Sequence, residues 1–316
     1  MDRKLPNRLY KYRKLNNRTL DMLLNDQVYF ADPSTFNDPL DTRPSLEPDV
    51  ENEKLEKIYR ELVKLRTDAE MRAAAKSLRY RGPRTTEHIR RQSRRQADRQ
   101  VKQIEFYSED AHYDSEDSKR NHLRRAIESE LFRQFDRGIV SLAQGSLCPL
   151  MWSHYADQHR GVCIGYSVPP HAKIDLHEVR YQGDRLVRAF SVAAMLEGSQ
   201  EARNEVDQAV LLRKAGSWNY EREWRLFGPL GLQNSPLELE EIIFGMRCTE
   251  SAKYVVMKAM EGRDPAFESH EIYEDHGKFL LKKRPLQYDD PRFEHYPRRA
   301  VSPFGEFEDL TAIGSP

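Results

Sequence analysis

Apolar residues follow two different spacings along the chain, and the change between them divides it. Between residues 49 and 136 the spacing is helical. Leu55, Ile58, Leu62 and Leu65 step by three, four and three residues, which marks one face of a helix. Farther on the stripe thins to Ile89, Ala97, Val101 and Ile104. A helix with so broken a face must be solvated on most sides or held by a partner. Leu123, Ile127, Leu131 and Phe135 then step by four, which still gives one packed face leading into a strand at 138–143, GIVSLA.

On either side of this stretch the pattern shortens to β runs. Residues 8–13 (RLYKYR) alternate Leu9 and Lys11 against Tyr10 and Tyr12. Asn17 to Leu24 predicts a short helix, and Val28-Tyr29-Phe30 a second strand stopped by Asp32-Pro33. Further strands are predicted at 161–168, 176–181, 221–227 and 237–244, around His270 to Tyr273, and from Lys278 to Lys283. Helices are predicted over 191–213 and 250–260. After Arg284 the prolines at 285, 291, 297, 303 and 316 read as an extended tail. The expectation is an α+β domain with a mixed sheet, built from residues 1–48 and 137–284. A charged helical insertion, 49–136, splits it, and the tail is 285–316.

Composition fits this division. Hydrophobic residues make up 38% and charged residues 32%, against about 45–50% and 25% for an ordinary domain, and the insertion accounts for most of the difference. Lys plus Arg balance Asp plus Glu at 51 each, but locally the balance fails. From Arg79 to Lys102 nine basic residues stand against two acidic ones, a net +7, and residues 105–117 then carry six acids and no Lys or Arg. Arginine binds phosphate bidentately and stacks on bases, so Arg90, Arg91, Arg94 and Arg95 are candidate RNA or DNA contacts. The alternative is that the acidic stretch folds back and neutralises them.

No apolar run approaches the ~18 residues of a spanning helix, and the N-terminus lacks the apolar stretch of a secretory signal. No membrane association and a cytoplasmic location are the expectation. Three cysteines without paired spacing support neither a disulfide framework nor a cysteine zinc site. Walker, Rossmann, nucleophile-elbow and HExxH motifs are absent.

Three clusters carry candidate chemistry. Ser34 to Asp41 is a turn-forming run of Asn, Asp and Pro, or a pair of carboxylates facing a site. Met151 to Cys163 (MWSHYADQHRGVC) concentrates groups that stack and hydrogen-bond. Its two histidines, five apart, do not share a helix face, so an aromatic nucleotide platform is favoured over metal ligation. In Trp218 to Arg225 (WNYEREWR), a strand would put Glu221, Glu223 and Arg225 on one face. That face is either a solvated salt-bridge array or a site.

The order LYKYR, VYFADPSTFNDPLD, SLA…LMWSHYADQHRGVCIGY, WNYEREWRLF and EIIFG resembles a bacterial family known only as domain of unknown function 2971, over about 8–45 and 136–260. A second likeness is to the ADP-ribosyltransferases, in particular the branch of toxins that modify DNA. Arg13 in the first strand, Ser141 in GIVSLA, Pro149-Leu150-Met151 leading into WSHY, and Glu221-Arg222-Glu223 on a late strand resemble that plan. The resemblance implies an ADP-ribosyltransferase-like mixed sheet and an NAD-consuming transferase of toxin or defence systems. NAD would be its substrate, no metal would be needed, and the acceptor is unknown, with nucleic acid a candidate. Glu223 and Glu221 would be catalytic, stabilising an oxocarbenium-like cation electrostatically. Arg13, Tyr12, Ser141, Trp152, His154 and Tyr155 would bind NAD, the arginine through its diphosphate. The alternatives are a non-enzymatic nucleic-acid-binding or interaction module, and a metal-dependent nuclease using Asp38, Asp41, His154 and Glu223.

Overall fold

A computed structural model describes residues 5–80, 82, 85–108, 115–134 and 137–298. In chain order its elements are β1 (Leu9–Arg13), α1 (Asn17–Leu24), β2 (Gln27–Phe30), β3 (Ser45–Glu47), α2 (Asn52–Ser77), α3 (Thr85–Ser108), α4 (Ser115–Gln134) and β4 (Gly138–Ala143). There follow α5 (Pro149–Tyr155), β5 (Val162–Ser167), β6 (Asp175–Glu178), β7 (Leu186–Arg188), α6 (Ala189–Leu196) and α7 (Gln200–Leu211). The last are β8 (Glu223–Gly228), β9 (Gly231–Asn234), β10 (Glu238–Phe244), α8 (Glu250–Ala259), β11 (Glu268–Glu274) and β12 (Leu281–Pro285).

The strands β12-β11-β10-β5-β1-β4-β8-β6 lie in that order in one eight-stranded sheet, with β2-β9 and β3-β7 as small separate pairs. Within the large sheet β10 and β11 run parallel, while the pairs β5-β10, β11-β12, β4-β8 and β8-β6 are antiparallel. A mixed sheet with a block of helices in mid-chain makes the class α+β, as expected. No helix among the described residues is long and apolar enough to cross a membrane.

The chain forms two compact units. The first takes in residues 1–9, 28–145 and 169–236, and the second residues 10–27, 146–168 and 237–316. In the first unit α2, α3 and α4 pack on one another and share a core with α6, α7 and β4. Leu55, Ile58, Leu62, Leu123, Ile127 and Leu131 are buried as their spacing predicts, while Phe135 lies outside the described residues. Leu65 departs from the expectation, being 51% exposed. Tyr59 and Val63 carry the face instead, and beyond them Arg66 turns inward to the buried Glu130 at 2.7 Å. The face of α3 is also more continuous than its apolar residues suggest. Ser93 and Ser108 complete the run Ile89, Ala97, Val101 and Ile104. Their hydroxyls donate to the carbonyls of Arg90 and Ile104, so these small side chains pack without orphaning a polar group.

Two other expectations change. The helix predicted over 191–213 is two helices. Gly198, at φ +100°, ends the first in a conformation only glycine adopts freely, and Ser199 caps the second by accepting from Ala202 N. In the second unit the chain after Arg284 is anchored rather than simply extended. Leu286 and Phe293 are buried, and residues beyond 298 lie outside the described set.

Candidate functional site

Two of the three clusters, far apart in sequence, meet in the first unit. Trp218 Nε1 donates to Asp38 Oδ2 at 2.8 Å, and Asp38 also accepts from Leu40 N, so the Asn-Asp-Pro run is a bonded turn that delivers Asp41 inward. There Asp41, Lys214, Glu221, Glu223 and Arg225 form one buried ion cluster, each side chain no more than 5% exposed. Arg225 is wholly buried. Its Nη2 reaches both oxygens of Asp41 at 2.8 and 2.7 Å, its Nε reaches Glu223 at 2.9 Å, and its Nη1 reaches the Leu211 carbonyl at 2.6 Å. Lys214 Nζ sits between Glu221 (2.6 Å), Glu223 (3.0 Å) and Asp41 (3.5 Å).

Local backbone explains the convergence. Glu221 is not in a strand, as predicted, but ends a 3-10 turn, Gly216–Glu221, and Arg222 follows in the left-handed region at φ 44°. That reversal turns Glu221 and Glu223 inward together and leaves Arg222 exposed. The face expected to be either solvated or a site is therefore a buried array. Burial alone would raise the Glu223 carboxyl. The charges of Arg225 and Lys214, with hydrogen bonds from Arg225 and Ser141, outweigh it and hold the carboxyl at about 2. Lys214 is pushed above the usual lysine range by Glu223 and Glu221 against the opposing effect of burial. The structure thus brings Ser141 to Glu223, and it brings Asp41 to the same cation. Both Glu223 oxygens are engaged by Arg225 and Lys214. The partner that sequence reading missed is Lys214, which no motif marks. Its only signal was the excess of buried carboxylate that the two clusters would create once joined.

The remaining expected residues lie in the second unit. Trp152 is fully buried, donates through Nε1 to the Ser146 carbonyl, meets Tyr12 edge-on at 5.3 Å and stacks on His159 at 6.1 Å. Tyr12 is buried too, and burial pushes its phenol well up. His154 is exposed and Tyr155 partly buried beside it. Arg13 is partly buried, with no carboxylate in ion-pair reach among the described residues, and burial lowers its guanidinium. The turn from α5 into β5 holds three successive left-handed residues, Asp157, Gln158 and His159 at φ 50°, 54° and 70°. Gly161 and Gly245 let the backbone pass close behind it. A Cβ at either would stand 2.1 Å from the carbonyl oxygen of Arg13 or His159 respectively. The WSHYADQHRG motif is thus first a tightly wound turn that stacks Trp152 on His159.

Of the carboxylates a nuclease would need, Asp38 and Asp41 are committed to Trp218, Arg225 and Lys214, and Glu223 likewise. The one His-and-carboxylate set among the described residues with metal-ligand spacing is Glu241, Glu268 and His270 of the second unit. There Lys283 Nζ already lies 2.5 Å from Glu241, so a cation occupies the charge. A second buried carboxylate in that unit, Glu271, takes Lys253, Arg284 and Arg292. Through Arg292 it pins the segment after β12.

On α3, Arg90, Arg91, Arg94, Arg95, Arg99 and Lys102 are all exposed. Arg91, Arg95, Arg99 and Lys102 step by four, four and three, so they line the side opposite the buried stripe. None of the six lies in ion-pair distance of a carboxylate among the described residues. Two of the three acids of α3 turn to its neighbours instead, Asp98 to Arg60 of α2 at 3.3 Å and Glu105 to Lys119 of α4 at 3.7 Å, while Glu87 in the first turn is exposed. Glu109, Asp110 and Asp114 of the acidic stretch, and Arg81 and Arg84 of the basic one, lie outside the described residues.

Comparison with known proteins adds one finding. A family model described as a protein of unknown function (DUF2971) matches residues 151–226. That span contains the α5 turn and the segment from Lys214 to Arg225. No curated protein and no solved structure gives a match.

Proposed function

We propose that this protein is a nucleic-acid-binding module that holds phosphates on the solvent face of α3. The reading rests on Arg91, Arg95, Arg99 and Lys102, exposed in one line and without carboxylate partners among the described residues, while Asp98 and Glu105 of the same helix are taken up by α2 and α4. Successive arginines four residues apart rise about 6 Å along the helix. Phe106, 73% exposed, continues the line one turn past Lys102 and offers a ring on which a base can stack. The ion cluster of the first unit is then structural and holds the fold that presents the helix.

Binding that neutralises phosphates releases counterions, so four contacts should give a slope of log K against log salt of about −3.6 on duplex DNA and −2.8 on a single strand. Fluorescence anisotropy with labelled RNA and DNA over a salt series tests this. Changing Arg91, Arg95, Arg99 and Lys102 together to Gln should abolish most of the slope while leaving the thermal transition in place. Salt-insensitive binding, or the same slope in the fourfold variant, would refute it. Binding to heparin or an acidic peptide but to neither nucleic acid would assign the face to a protein partner and refute it equally.

A second reading is ADP-ribosyl transfer from NAD, favoured by the Ser141 contact to Glu223 and by the guanidinium of Arg13, which has no carboxylate in ion-pair reach among the described residues. It requires Glu223 to exchange Lys214 or Arg225 for a ribose hydroxyl. Release of nicotinamide by the wild-type chain, suppressed by Glu223→Gln, is its test.

A further inference from the structure

We propose that the first unit carries a binding pocket for a nucleotide-sized phosphate monoester, walled by Trp224 and rimmed by Arg180 and Arg222. A cavity of about 840 Å³, in the range of ligand pockets, lies there, lined also by Tyr181, Asn219 and Gln144.

Three features of its lining bear on this. The first is an orphaned donor. Of the three tryptophans, Trp152 and Trp218 donate through Nε1 to Ser146 O and Asp38 Oδ2. Trp224, only 6% exposed, has a buried Nε1 with no hydrogen-bond partner among the described residues. A buried N–H without an acceptor is costly and rare in a folded chain, and an indole can only donate. That atom is itself closed to solvent, so Trp224 serves the cavity as a wall and as a reporter rather than as a donor to its ligand.

The second is charge. Arg180 and Arg222 are exposed, and neither lies in ion-pair reach of a carboxylate among the described residues. Glu178 is the only acidic residue among the described residues lining the cavity, against the two arginines. Two guanidiniums suit a phosphate bidentately, and the amides of Gln144 and Asn219 offer both donors and acceptors to the rest of a nucleotide.

The third is strain. Arg222, at φ 44° and ψ 54°, is a non-glycine residue in the left-handed region. The same reversal that buries Glu221 and Glu223 swings its guanidinium to the cavity. Glycine there would be easier for the backbone, yet an arginine occupies the position. The pocket lies apart from the α3 face, and the proposal stands independently of nucleic-acid binding by that helix.

The test uses the full chain and its indole N–H signals in a ¹H-¹⁵N spectrum, with Trp224→Phe identifying the third. The probes are the four ribonucleoside 5′-monophosphates, adenosine and inorganic phosphate, each raised to about 5 mM, where even millimolar affinity is visible. At least one monophosphate should shift the Trp224 signal and leave that of Trp152 in place, and adenosine should bind at least ~10-fold more weakly, the ratio expected for one lost charge-assisted contact. Arg222→Gly keeps the backbone and removes the guanidinium. It should weaken the monophosphate ~10-fold or more while leaving the protein at least as stable, because it also relieves strain. Arg180→Gln should weaken it similarly. No response of the Trp224 signal to any monophosphate would overturn the proposal. So would equal binding by wild type and Arg222→Gly, or a response to inorganic phosphate alone, which would mean an anion spot without a nucleotide pocket.

Discussion

Replacing Arg225 with Met keeps the length and apolar stem of the side chain and deletes its charge, which isolates the electrostatic part of the buried cluster. In the wild type three carboxylates face two cations, and Arg225 alone supplies both oxygens of Asp41, one short contact to Glu223 and the Leu211 carbonyl. Without it, Asp41 and Glu223 depend on Lys214 at 3.5 and 3.0 Å, and the cluster carries a second uncompensated negative charge. Breaking a buried pair by removing one partner typically costs about 3–5 kcal/mol, and the orphaned carbonyl adds about 1–3 kcal/mol. A loss near 5 kcal/mol is therefore expected, or about 10–20 °C in the thermal transition at ~2–4 °C per kcal/mol. Urea titration at pH 7 followed by tryptophan fluorescence measures it.

The pH dependence supplies an independent check. In the wild type the Glu223 carboxyl is held at about 2 from an ordinary 4.5. Its contribution is therefore complete above pH 4.5 and is lost as pH falls towards 2. In Arg225→Met the Glu223 carboxyl loses its largest compensating charge and takes up a proton at higher pH. The variant then recovers while the wild type weakens, and the gap between them should narrow below pH 4.5. Asp41→Asn added to Arg225→Met should also restore part of the loss at pH 7. A single variant within ~1 kcal/mol of wild type, the scale of an exposed ion pair, would refute the argument, as would a gap that widens in acid.

Further outcomes are as specific. Gly161→Ala drives a Cβ to 2.1 Å from the Arg13 carbonyl oxygen, and should destabilise the second unit by at least ~2–3 kcal/mol in chemical denaturation. Gly145→Ala, where a Cβ meets nothing within 4 Å, is the control and should stay within ~0.5 kcal/mol. Gln158→Gly relieves the middle residue of the three left-handed positions and should raise stability in chemical denaturation, by at most ~1 kcal/mol because glycine also loosens the unfolded chain. On the NAD reading, Glu223→Gln should lower nicotinamide release ~10²–10³-fold in a variant that circular dichroism finds folded. A chelator should leave that release unchanged, and equal turnover by wild type and Glu223→Gln would remove the residue from the reaction.

Periodicity alone was enough for the helical segment in mid-chain, the short β runs around it and the α+β class, because burying one face of a helix or strand imposes a spacing that composition cannot hide. The bonded turn at 34–41 was likewise legible from Asn, Asp and Pro, whose bonds are local. Where apolar residues were sparse the reading weakened. Ser93 and Ser108 complete the buried face of α3, and no hydropathy pattern marks a serine whose hydroxyl bonds its own helix. Tertiary structure decided what the charged residues do. Glu221, Glu223 and Arg225 read equally as a solvated face or a site, since their environment depends on Asp41, some 180 residues earlier, and on Lys214, which no motif marks. Whether an arginine ends up buried against carboxylates, like Arg225, or exposed, like Arg91 and Arg222, depends on the groups that long-range packing brings to it. Charge acts through space over several ångströms and burial sets its strength, and neither distance nor burial is written in the order of residues.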